Sequence, residues 1–568
     1  MNTYLQRLAL TLCCCLVSAT AWCSDTLLIN SHSSNVHQQL EESLRLVKSR
    51  KGKPTVLKFE TRQYEFYREH TVQKPYFVSN TTNKNHNPSA IKHIAIYIKG
   101  IKNLTIDGGN SLFMTHGKMT SFFIDSCENI VLKNFSIDAV DPTVVEAEVL
   151  EATSTYLVLK PHSSAKYTIQ NNRIIWSGHQ WQFEGGIAQI YDPNLNTSDR
   201  CTSPMSGIQK IENRQDGTLK IWYEKAPHVR AGQVYQLRDG FRDEVVGSIL
   251  KSKNIILENI NLHFLGNFGI VGQYSENITL SNLNCEPALN SGRTCAGFAD
   301  FVQMSGCKGL IQIENCRFEG AQDDPINIHG THLKIDEFIS DKQIKVSFRH
   351  PESYGFEAFF KGDKIEIVDS ESLTALKEFA VKQVNKISQT EIILTLDKSI
   401  SPELRERKAL VVENITWTPH VSIRNCYFAR IPTRGILVTT RKPVEISHNV
   451  FFRTPMSAIL IANDARSWYE SGPVHQVRIH DNQFIECGEP VIYINPESSK
   501  LEKYVHRDIA IFNNRFVLKN QTAVYAKSVE GLHIYNNLIS KPKADVQSIA
   551  TKDCIDVTIE GNQEIIKQ

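Results

Sequence analysis

The sequence predicts an all-β chain, wound as a right-handed parallel β-helix and interrupted by two antiparallel β-modules. Three observations predict it. First, a short apolar-alternating run ending in Asn recurs: Ile130–Asn134, Ile255–Asn259, Ile278–Asn282, Ile311–Asn315, Val421–Asn425, Val444–Asn449, Val477–Asn482, Ile509–Asn514, Leu532–Asn537 and Val557–Asn562. Second, successive Asn residues mostly stand 23 to 25 apart, with gaps of 33 where a coil carries a surface loop. Short strands at that period leave no room for crossover helices, so the repeats stack as coils. Third, two stretches keep the strand alternation and lose the Asn.

In chain order, residues 1–23 read as a secretory signal. Arg7 precedes the apolar run Leu8–Val17, and cleavage is expected after Ala21 or Cys23. A lipoprotein reading would acylate Cys23, but Trp22 before it is too bulky. The mature chain is therefore expected to be exported, and no segment reaches the length of a membrane span. Residues 24–139 form the N-terminal coils, with Val36 to Lys48 as an amphipathic helix capping the open end. Residues 140–250 form the first inserted module, with alternation at Glu146–Leu150 and Thr155–Leu159 and with Trp176, Trp181 and Trp222. Residues 251–332 return to coils, 333–418 form the second module, and 419–568 complete the solenoid. Each repeat Asn is expected to hold a tight turn and to stack in a ladder. The Asn-x-Ser/Thr triplets at Asn103, Asn134 and Asn277 fall on such turns and are read as turns before glycosylation sites.

Composition excludes several classes. With 63 basic and 61 acidic residues the net charge is +2, and no Lys/Arg run stands out, which argues against nucleic acid and anionic membrane as partners. Of 13 cysteines, Cys127, Cys316, Cys426 and Cys487 occupy strand-like positions suited to buried thiols. Cys285 with Cys295 or Cys307 is left open as a disulfide, since export permits one. No cysteine spacing fits a zinc site. The flat faces of a long solenoid suit a homo-oligomer.

The chemistry concentrates in Asp300 and in Gly320–Gly330, which holds Asp323, Asp324, Asn327 and His329. Asp300 and Asp323 stand 23 residues apart, close to the coil period, so they are expected at matching positions of neighbouring coils about 4.8 Å apart. Packed carboxyls do not all ionise, so at least one pKa should rise and place a proton donor beside a base. Hydrolysis of a glycosidic bond needs that pair. Asn327, His329 and Glu357 suit sugar hydroxyls.

The runs Ala299–Gly309, Ile313–Gly320, Asp323–Thr331 and His350–Phe356 resemble glycoside hydrolase family 110, exported α-1,3-galactosidases of bacteria that feed on host glycans. The resemblance covers essentially the whole mature chain. It implies inverting removal of terminal α-1,3-linked galactose from oligosaccharide or glycoprotein glycans, as in blood-group B, with no metal or cofactor. Carried over, Asp323 would be the general acid, Asp300 and Asp324 the candidates for the base, and Glu357 a sugar contact. Pro325 departs from the small apolar residue expected there.

A polygalacturonase-like hydrolase is the enzymatic alternative. Such enzymes carry Asn-Thr-Asp, Asp-Asp-Cys and Arg-x-Lys, where this chain reads Phe298-Ala299-Asp300 and Asp323-Asp324-Pro325 with no convincing Arg-x-Lys. A calcium-dependent lyase needs a strong Arg or Lys base that the cluster lacks. A non-catalytic β-helical glycan-binding protein is the remaining alternative.

Overall fold

The computed structural model describes residues 25–30 and 36–566; the expected leader lies outside them. The chain is a right-handed parallel β-helix. Apolar residues stack in register from coil to coil. One column runs Leu104, Ile130, Ile255, Ile278, Ile311, Val421, Val444, Val477, Ile509 and Leu532, all buried. A parallel phenylalanine column, Phe318, Phe428, Phe451, Phe484 and Phe516, has ring centres 4.6 to 5.3 Å apart. Such stacking adds about 0.5–1.5 kcal/mol per pair beyond burial. The helix Val36–Ser49 buries Val36, Leu40, Leu44 and Val47 over the first coil, as the cap requires. Among the described residues no helix is long and apolar enough to cross a membrane.

The Asn ladder is two ladders. Asn134, Asn259 and Asn282 have φ of 59°, 54° and 55°, a left-handed conformation that Asn tolerates, and their side-chain amides bond down the column at 3.0 and 3.2 Å. In the C-terminal coils that conformation belongs to Asn425, His448, Asp481, Asn513 and Asn536. The next residue points inward instead: Asn449, Asn482, Asn514, Asn537 and Asn562 form a chain of amide bonds of 2.9 to 3.1 Å, buried except at its Asn562 end. Cys426 occupies the same inward column, its N–H donating to Asn449 Oδ1 at 2.9 Å. The 24-residue step from Asn425 to Asn449 thus mixed two positions; the true partner of Asn425 is His448, 23 residues on.

The first module is a seven-stranded antiparallel sheet with a three-stranded sheet beside it, sharing a core that includes Trp176 and Trp181. It ends at Arg238; Gly247–Leu250, assigned above to the module, already pairs with solenoid strands. The second module is a closed antiparallel barrel of six strands. Its first strand, Ile326–Phe338, begins as a solenoid strand and runs out into the barrel. The solenoid resumes at His420. All nine described cysteines are free, so Cys285, Cys295 and Cys307 form no disulfide.

Candidate active site

Asp300 and the turn at Asp323–Asp324 lie on one face of the solenoid, and the register there is 24 rather than 23. Val302 pairs with Ile326, and the N–H of Phe301 donates to the carbonyl of Asp324 at 3.3 Å. Asp324, not Asp323, therefore lies alongside Asp300, and Asp323 sits one residue out on the turn. Gly320 starts that turn with φ of 76°, and a Cβ there would meet the carbonyl of Thr294 at 2.8 Å. Pro325 leaves the pairing intact, because its carbonyl still accepts from Val302 at 2.9 Å.

The three carboxyls have different partners. Asp323 is part-exposed and accepts from the Arg242 guanidinium at 2.7 Å. Asp324 is buried and accepts from the backbone N–H and Nε of Arg434 at 3.1 and 3.0 Å. Asp300 is buried and makes no direct ion pair among the described residues, though the charge of Arg242 acts on it; Asn327 Nδ2 approaches it at 3.5 Å. Around them a cavity is lined by Asn80, Arg242, Leu437, Leu460, Trp468 and Glu470. Among the described residues no group of His, Cys, Asp or Glu is arranged to hold a metal ion.

Two excursions deliver Arg242 and Asn80 to the cavity. Arg242 follows the last strand of the first module, and Asn80 belongs to the segment after Val72–Pro75. Lys92, fully buried, joins them: its ammonium donates to Thr81 Oγ1 at 2.9 Å and to the Asp243 carbonyl. The first module is seated by Gln189 Nε2, which donates at 2.9 Å to the carbonyl of Gln322, the residue before Asp323.

A family profile described as "GLAA-B beta-barrel domain II" matches residues 343–410, within the six-stranded barrel. Alpha-1,3-galactosidase A of Bacteroides thetaiotaomicron is 47% identical over 519 residues, covering 90% of this chain and 91% of that one. The chain belongs to the α-1,3-galactosidase family. Alpha-1,3-galactosidase B of the same organism is 33% identical, over 90% and 85% of the two chains. Among solved structures, a family 28 exopolygalacturonase of Yersinia enterocolitica aligns at a TM-score of 0.37 and 8% identity, covering 94% of this chain and 79% of that one.

The galactosidase thus carries its carboxyl cluster and Arg434 on the solenoid, and Arg242 on a loop. Burial, then the negative charge of Asp323, pushes the Asp300 carboxyl well above the usual carboxylate range. Burial also raises Asp324, against the pull of Arg434. The stacked pair therefore holds its protons to higher pH than free carboxyls do. One consequence is testable by calorimetry. Below about pH 4 the carboxyl is protonated in folded and unfolded chain alike, so its burial carries no charge penalty. As pH rises toward the folded pKa, the unfolded chain ionises first and stability falls. Asp300→Asn, inactive, is expected to raise Tm by roughly 1–3 °C at pH 7, with the gain vanishing toward pH 4.

Of the sequence-predicted residues, Asp300, Asp323, Asp324 and Asn327 line the cavity. His329 lies just behind: its Nδ1 bonds the Gly330 carbonyl at 2.6 Å, and Nε2 stands 3.0 Å from the Gln303 amide and 3.5 Å from Glu470. Glu357 is not brought to the site; it is exposed and paired with Lys251. Arg242, Arg434, Trp468 and Glu470 were missed, since they come from outside the motif and carry no local signature. Loss of the buried cation in Lys92→Met is expected to slacken the Asn80 and Arg242 loops, lowering kcat/KM about tenfold or more while the fold persists. Steady-state kinetics beside a melting curve checks this.

Proposed function

We propose that this cavity releases terminal α-1,3-linked galactose from the ends of host-type glycans, blood-group B among them, with inversion at the anomeric carbon. The observation that carries the reading is the separation of the carboxyls into two sets. The part-exposed Asp323, beside Arg242, is positioned for the glycosidic oxygen of a sugar whose ring lies inside. The buried pair Asp300 and Asp324 lies in register beneath, suited to hold and deprotonate a water on the opposite side of the ring. Asp323 is then the general acid, and the pair supplies the base. Asn80 and Trp468, which come from segments far apart in the chain, both line the cavity, and a pocket walled by such segments suits a chain end, which supports an exo mode.

A second assignment has one observation in its favour. Asp300 is the carboxyl with no direct ion pair among the described residues, and its pKa is raised well above the usual range. That would suit it to donate the proton, with Asp323 as base. The two assignments predict opposite responses to leaving-group quality, taken up below.

The function is tested by incubating the protein with Galα1-3(Fucα1-2)Gal and with linear Galα1-3Gal, and measuring free galactose. Release from the branched trisaccharide is the expected result. No galactose from either substrate, with cleavage of polygalacturonate instead, overturns the reading.

A further inference from the structure

The turn from Asp464 to Ser471 brings Trp468 and Glu470 to the cavity, and the proton transfers above make no use of it. Its shape is fixed from within. The buried Asp464 carboxylate accepts from the backbone N–H groups of Arg466, Ser467, Trp468 and Tyr469. Glu470 and Ser471 then pair antiparallel with Thr331 and Gly330, on the strand that carries Asn327. A Cβ at Gly330 would meet Ser471 Oγ at 2.4 Å, so the approach is a close one. Side chains on a turn held this way are presented in a defined geometry.

Two of them line the cavity. The Trp468 ring stacks on His350, with centres 4.3 Å apart and planes 26° from parallel, yet the residue stays 45% exposed. Burial, then Arg242, holds His350 down at about 4, so the ring behind the indole is neutral at working pH. Glu470 Oε1 accepts from Asn327 Nδ2 at 3.3 Å, while Oε2 has no hydrogen-bond partner among the described residues. Asn327, itself buried, has its Oδ1 unpartnered. An aromatic face beside free acceptors is the combination that fits a sugar ring, whose C–H groups need an apolar surface and whose hydroxyls need acceptors.

We propose that Trp468 and Glu470 select the sugar: Trp468 lies against the C–H face that an axial O4 leaves continuous on galactose, and Glu470 with Asn327 binds neighbouring hydroxyls of the same ring. This deepens the galactosidase reading and rests on it. It gives the turn a role in binding rather than in proton transfer, which makes the expected kinetics distinctive.

The test uses a nitrophenyl α-galactoside with wild type, Trp468→Ala, Trp468→Phe and Glu470→Gln, reading kcat, KM and the inhibition constant of free D-galactose, with D-glucose as the C4 epimer. Trp468→Ala is expected to raise KM and the galactose constant together, about tenfold, with kcat within about threefold. Phe at that position recovers most of the loss. Glu470→Gln is expected to raise both constants about 10- to 100-fold. Galactose constants within about twofold of wild type in both variants overturn the proposal. So does a rise in KM for disaccharides with no change for free galactose, which would place Trp468 against the leaving sugar. Wild-type protein that neither cleaves the galactoside nor binds galactose overturns the galactosidase reading and this proposal together.

Discussion

Asp323→Asn lowers kcat on natural Galα1-3 glycans by about 10³-fold, and by far less on galactosides with an activated aryl leaving group. The reason is chemical. A sugar alkoxide leaves poorly and needs a proton in the transition state, a contribution of about 10²–10⁴-fold, whereas a dinitrophenolate needs none. Asn keeps the size of Asp and still accepts from Arg242, so binding changes little and the loss falls on kcat. Asp300→Asn is the control. As part of the base it is needed for every substrate, so its loss is uniform across the leaving-group series. If instead Asp300→Asn shows the leaving-group rescue and Asp323→Asn the uniform loss, the roles are exchanged, as the raised Asp300 pKa would have it.

Arg434→Met has the largest expected effect on stability. Asp324 is buried and both bonds from Arg434 end on its Oδ1. Removing the guanidinium leaves a buried carboxyl without its charge partner, a loss of about 3–5 kcal/mol. Urea unfolding should show a lower midpoint with an unchanged slope. Adding Asp324→Asn removes the stranded charge, so the double variant is expected to be more stable than Arg434→Met alone, though inactive. A single variant within about 1 kcal/mol of wild type would show that the pair is solvated well enough to be dispensable.

The solenoid was legible because its signal is repeated: each coil reuses one apolar pattern and one left-handed turn. The register within the signal was less so. Asn425 and Asn449 look equivalent in sequence, yet one takes the strained turn and the other fills the inward column beside it, since adjacent Asn residues satisfy different demands. The same one-residue ambiguity set Asp323 opposite Asp300, where the strand pairing puts Asp324. The carboxyl cluster itself was readable, as it lies in one short motif. Its partners were not. Arg434 stands in register with Asp324 only because the barrel inserted between them returns the chain to the next coil. Arg242, Trp468 and Glu470 arrive from loops whose approach no local pattern encodes. Glu357 was placed by residue type and by resemblance, with no register to fix it, and it faces solvent.

The central claim is inverting removal of galactose from an α-1,3 bond, and proton NMR of the reaction as it starts tests it most directly. With Galα1-3(Fucα1-2)Gal as substrate, the account predicts that β-galactose appears first and the α anomer only later, by mutarotation. First-formed α-galactose would mean retention and contradict the water-holding role given to Asp300 and Asp324; the absence of galactose would contradict the account as a whole.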